Sequence, residues 1–171
     1  MVRKFLVLCV FFTFFSCISY RTEFGKKRFK MDLSKIKQIQ NDSVFKVIDT
    51  TKLYELKSVL SLTDNEYIYP FKQRYLKFYS NGKIGVFYYF DINDISSLNP
   101  KKADIGYYKY HNNKIIMQTF FEHQQGGGYA KSECVINKNK NEYLELKSDD
   151  YLKKYKITDL PKEFLIYKPD W

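Results

Sequence analysis

Tyr75-Leu76-Lys77-Phe78-Tyr79-Ser80, then Asn81-Gly82, then Lys83-Ile84-Gly85-Val86-Phe87-Tyr88-Tyr89-Phe90 is the stretch that decides the fold. Asn-Gly between two strand-like runs predicts a β-hairpin closed by a type I′ turn, in which both central residues take positive φ. A two-residue turn pairs Ser80 with Lys83, Phe78 with Gly85 and Leu76 with Phe87. One face then holds Leu76, Phe78, Phe87 and Tyr89. The other holds Tyr75, Tyr79, Ile84, Val86, Tyr88 and Phe90, with Lys77 its one charge. Both faces are mostly apolar or aromatic, so the hairpin is expected to be covered on two sides.

The same reading extends outward. Gly106–His111 and Lys114–Phe121 flank Asn112-Asn113 as a second hairpin, with Tyr110 opposite Ile115 and Tyr108 opposite Met117. Gln124–Gly128 reads as a flexible tip before a strand at Tyr129–Ile136, and Asn137–Asn141 as a polar turn before Glu142–Lys147. Val44–Ile48 and Tyr151–Ile157 look like strands, whereas Thr51–Leu62 is open between strand and helix. Pro161 and Pro169 bracket a short C-terminal run. Strands joined by short polar turns, with no helical crossovers, are antiparallel neighbours in a meander. Seven to nine strands in about 128 residues give a mainly β fold, an up-and-down barrel or a strongly curved sheet with little helix.

The chain begins differently. Met1-Val2-Arg3-Lys4 is a short positive start, and Phe5–Phe15 is a nearly unbroken apolar run. As a helix the run is roughly 17 Å long against a hydrocarbon core of ~30 Å, too short to span, so residues 1–16 read as a signal peptide. Phe14-Phe15-Ser16-Cys17 resembles a bacterial lipobox, in which a small residue precedes a cysteine that is diacylated. Relaxed versions occur in lipoproteins of the Bacteroidota, and the β-domain over residues 44–171 resembles their small lipocalin-like members of unassigned function. The lipocalin Gly-x-Trp is absent, since the one tryptophan is Trp171. The resemblance implies lipidation at Cys17 and a membrane-anchored envelope protein, the outer membrane favoured. Ordinary cleavage near Ser16, giving a secreted protein, is the other reading.

Residues 17–43 are expected to be the lipidated cysteine and a basic tether, with a short helix at 31–39. Their Lys26-Lys27-Arg28-Phe29-Lys30 cluster is either a solvated linker or a contact for anionic headgroups. The net charge of +10 comes from 25 Lys and 4 Arg beside 10 Asn and 2 Ala, a codon-level bias toward AT that argues against selection for nucleic acid. With Cys9 removed and Cys17 acylated, Cys134 has no partner thiol and is expected to be a small buried side chain.

The sequence holds no recognisable catalytic constellation and calls for no cofactor. His111 and His123 are separated by a whole strand, too far apart for one ion. Gly126-Gly127-Gly128 leads into a strand, not into the helix that a phosphate loop requires. Asp91/Asp94 and Asp149-Asp150 are adjacent acids at loop boundaries. The expected function is therefore non-enzymatic: binding of an apolar small molecule, or packing on another envelope protein. Tyr75, Tyr79 and Tyr88 are the candidate binding face, because their hydroxyls would supply polar groups in an apolar site. An inhibitor or immunity factor for a secreted enzyme is the alternative, and a hydrolase with dispersed acidic residues a third.

Overall fold

A computed structural model describes residues 19–29, 48–112, 114–123, 126–139 and 142–171. The apolar run, Cys17 with its lipobox, the 31–39 segment and all but the last residue of Val44–Ile48 lie outside the described residues.

Eight strands form a closed antiparallel barrel in which every strand pairs with its neighbours in sequence: β3 (Lys52–Ser61), β4 (Tyr75–Phe78), β5 (Lys83–Phe87), β6 (Asp104–His111), β7 (Lys114–His123), β8 (Gly126–Asn139), β9 (Tyr143–Lys147) and β10 (Tyr151–Asp159). β10 returns to pair with β3 and leaves the barrel no free edge. The meander expected from the turns is thus an up-and-down barrel, and the Thr51–Leu62 ambiguity resolves as strand. Alternation decides this: Tyr54 and Leu56 face the barrel core, Leu53 on the alternate face meets the outer apolar layer, and Lys57 is exposed.

The β4–β5 hairpin differs from the sequence reading by one residue. Phe78 pairs with Ile84, Leu76 with Val86 and Tyr75 with Phe87. Gly82 N–H donates to the Tyr79 carbonyl at 3.2 Å, and Tyr79 N–H to the Lys83 carbonyl at 2.9 Å. The loop is therefore Ser80-Asn81-Gly82, a type I turn followed by a left-handed residue. Only Gly82 has positive φ, at 76°. Asn-Gly serves this three-residue loop as well as the two-residue one, because a bulged turn also ends on a left-handed glycine. A one-residue slip exchanges faces on one strand. Leu76, Phe78, Ile84 and Val86 point together into the barrel, and Tyr75, Lys77 and Phe87 point outward.

Both sides of this hairpin are nonetheless covered. Inside, Phe78 packs edge-on between Tyr54 and Tyr108, with ring centroids 5.2 and 5.0 Å apart. Outside, Leu53 and Phe87 are sealed by Leu98 and Ala103 from the β5–β6 connection and by Phe164 from the chain end. The second hairpin keeps its expected register, with Tyr108 opposite Met117 and Tyr110 opposite Ile115.

Two further expectations change. The glycines at 126–128 are paired in β8 opposite β7, not a tip. A Cβ on Gly127 would lie 2.4 Å from the Phe120 ring, and one on Gly128 3.1 Å from the Phe121 ring, so bare backbone is what lets these rings lie across the strand. Within the segment read as a tether, β1 (Ser19–Arg21) and β2 (Lys27–Phe29) form a two-stranded hairpin. It docks on the barrel through its basic side chains. Lys26 pairs with Asp104 at 2.7 Å, and Arg21 and Lys27 with Glu122 at 2.6 and 3.1 Å. Arg28 is only 1% exposed; it donates to the Pro100 and Ala103 carbonyls and to Asp170, and its guanidinium lies 5.3 Å from the Trp171 ring. Three of the cations read as free for headgroups are thus engaged in holding the fold together.

Candidate ligand site at the barrel mouth

Antiparallel order gives the barrel two unlike ends. At the end bearing the 79–83 turn, Ile48 is fully buried. There the Asp49 N–H donates to the Tyr54 hydroxyl at 2.8 Å, and Tyr108 donates to the Tyr79 carbonyl at 2.7 Å. Aromatic rings and satisfied hydroxyls close this end. The opposite end carries the long 62–74 connection, and beneath it is a cleft of about 220 Å³.

The cleft is built from three places in the chain. Leu56 and Val59 come from β3, Ile68 and Phe71 from the connection, and Tyr151 and Lys153 from β10. Lys153 stands opposite Val59 on one side and Leu146 on the other, both inward-facing, so its stem enters the barrel among apolar side chains. Burial is the main cause that pushes its amine below the ordinary lysine value, and the nearby Arg74 guanidinium adds to it. Arg74 and Lys72 complete the rim, with the Lys72 ammonium 4.1 Å from the centre of the Tyr88 ring. Below the cleft, Tyr155 is buried, and this raises its phenol well above the ordinary value. Above it, Tyr67 and Tyr69 stand 61% and 69% exposed at the edge of the opening.

The three tyrosines singled out from sequence do not share one surface. Tyr75 joins the outer apolar layer, 5.8 Å from Phe90. Tyr79 is buried edge-on against Trp171 and borders a separate outer cleft of about 490 Å³, between the hairpin tip and residues 165–169. Tyr88, beyond the end of β5, packs against the barrel core beside Lys72, and burial pushes its phenol up to about 12. Lys77 lies in the outer cleft wall, is 4% exposed, and donates to the Thr50 carbonyl. Burial pushes its amine down to about 8 against the opposing pull of Asp49.

The other chemistry-bearing residues are dispersed. His111 ends β6 and His123 ends the antiparallel β7, so they lie at opposite ends of the barrel. Cys134 is buried in the core, and burial raises its thiol above the ordinary value. Asp94 caps the 3-10 turn Ile95–Leu98 through the Ser96 N–H, and Asp91 accepts from Asn93 N–H. Among the described residues no group of three metal-ligating side chains converges.

Lys153 was not singled out from the sequence because it is one of 25 lysines, and Arg74 because it lies in a segment with no strand pattern to place it. The usable signal was a lysine at an inward position, two residues before Tyr155 on a strand whose alternation faces the core. No protein-family model matches the chain, and no curated protein or solved structure matches it.

Proposed function

We propose that this is an exported, lipid-anchored, non-enzymatic protein of the bacterial envelope whose barrel holds a small apolar molecule in its mouth. The observation that carries this reading is the cleft under the 62–74 connection, with an apolar floor of Leu56, Val59, Ile68 and Phe71 at one end of a barrel sealed at the other. Sites for small molecules are concave and mostly apolar with a few placed polar groups. Export and anchoring rest on the sequence: the positive start, the short apolar run and Cys17 after Ser16. The outer membrane is the favoured location, by resemblance to Bacteroidota lipoproteins.

A second reading, packing on another envelope protein, draws on Tyr67 and Tyr69, whose rings stand exposed beside the mouth. Native mass spectrometry of the anchored protein extracted from its own cells separates the two. The expected spectrum carries an added mass of a small molecule that is released on activation. A protein-sized addition supports the second reading, and bare protein alone counts against both.

A further inference from the structure

The mouth has a charge as well as a shape. Lys72, Arg74 and Lys153 line it together with Leu56, Val59, Ile68, Phe71 and the ring of Tyr151. Among the described residues none of these three cations is in an ion pair. Other lysines are engaged differently: Lys26 is bound to Asp104 and Lys27 to Glu122. Lys153 has the like charge of Arg74 and the Cys134 thiol near it and the Tyr151 ring 5.7 Å from its ammonium, and among the described residues no carboxylate pairs with it. Lys153 is half-buried with the exposed Arg74 guanidinium on the same cleft, and an anion between the two offsets their like charge.

Volume sets the size of what enters. At about 30 Å³ per water-sized group, 220 Å³ takes about seven such groups. That admits one short hydrocarbon chain and excludes the two long chains of a phospholipid.

We propose that the mouth binds a short-chain anionic amphiphile, its carboxylate held by Lys153, Arg74 and Lys72 and its chain of about seven carbons laid on Leu56, Val59, Ile68 and Phe71. This rests on the apolar-ligand reading above and adds the head group to it. Arg74 takes the carboxylate by its planar fork, and Lys153 meets it as a point charge from inside the barrel. Lys72, already over the Tyr88 ring, closes the outer side.

The test is a calorimetric titration of the purified protein with sodium octanoate, with octanol, and with acetate. Octanoate is expected to bind at least ten-fold more tightly than either of the others. Lys153→Met should lower octanoate affinity at least ten-fold and leave octanol unchanged, and Lys153→Arg, which keeps the charge, should retain most of it. Equal binding of octanol and octanoate by the wild type overturns the head-group assignment and leaves the apolar reading standing. Equal binding of acetate and octanoate overturns the chain placement. If neither octanoate nor octanol binds, the apolar-ligand reading itself fails and takes this inference with it.

Discussion

Lys77→Met, followed across pH, tests whether the outer wall of the barrel is covered as described. Lys77 is 4% exposed beside the Thr50–Thr51 turn and the 165–169 segment, and burial lowers its amine from 10.5 to about 8. That difference corresponds to about 3 kcal/mol between the charged and neutral forms. The folded protein releases the proton near pH 8, whereas the unfolded chain holds it to about 10.4. Between those values the unfolded state binds more protons, so stability rises with pH through this window. The penalty is complete below the folded value and gone above the unfolded one. Buried tyrosines act in the opposite sense. Tyr88, Tyr107 and Tyr108 are pushed up to about 12 by burial, so they ionise first in the unfolded chain and lower stability above pH ~10. The wild-type curve alone mixes these contributions, but the difference between wild type and Lys77→Met isolates the lysine. Methionine relieves the charge and loses the hydrogen bond to Thr50, a bond of ~1 kcal/mol when the amine is neutral. The variant should therefore be about 2 kcal/mol more stable at pH 7, with the advantage gone by about pH 10. Urea denaturation at each pH, analysed by linear extrapolation, measures it. A difference that stays constant within ~0.5 kcal/mol from pH 7 to 10 would refute the burial of Lys77 and the cover over it.

Three further outcomes are expected. Gly82→Val should destabilise by more than ~1 kcal/mol, because Gly82 sits at φ 76° and a Cβ there meets the Tyr108 carbonyl at 3.3 Å; Asn81→Ala should cost less, since only a type I′ turn would need positive φ at Asn81. Equal costs in thermal denaturation would restore the two-residue turn. Arg28→Ala should cost about 3 kcal/mol, as it strands the Pro100 and Ala103 carbonyls and Asp170; a shift in urea midpoint worth less than ~1 kcal/mol would show that the β1–β2 hairpin is not docked. Cys17→Ser should move the protein out of the membrane fraction or leave uncleaved precursor, given that two acyl chains hold firmly at ~0.8 kcal/mol per buried CH₂; absence of palmitate label on the wild type would end the lipobox reading.

The barrel was legible because its signals are local. Asn81-Gly82 and Asn112-Asn113 mark turns between runs of strand formers, and consecutive short turns leave few topologies for a meander. The register of β4–β5 was not legible, for a physical reason. When both faces of a hairpin are aromatic, alternation no longer says which one is inside, and Asn-Gly serves two loop lengths. What settles it is remote: the outer face is covered by Leu98, Ala103 and Phe164, the last more than seventy positions downstream of the turn. The docked β1–β2 hairpin was hidden in the same way. Arg28 reads as one cation in a basic stretch until Asp170, 142 positions away, is beside it. The mouth combines Arg74 from the 62–74 connection with Lys153 from β10, far apart in the chain, and no local pattern links the two. Tyr75, Tyr79 and Tyr88 share a face only if the turn has two residues; with the pairing shifted by one, Tyr75 and Tyr79 face outward while Tyr88 continues the inward row of Ile84 and Val86.

The most direct measurement is of where an apolar molecule sits. Amide shifts of the isotope-labelled protein, followed by nuclear magnetic resonance during titration with octanol, report it residue by residue. The expected result is saturable perturbation confined to Leu56, Val59, Ile68, Phe71 and Lys153 around the 220 Å³ cleft. Perturbation centred on Thr50, Tyr79 and Leu165, around the outer cleft, or none at any concentration that octanol reaches, would contradict a binding site in the barrel mouth.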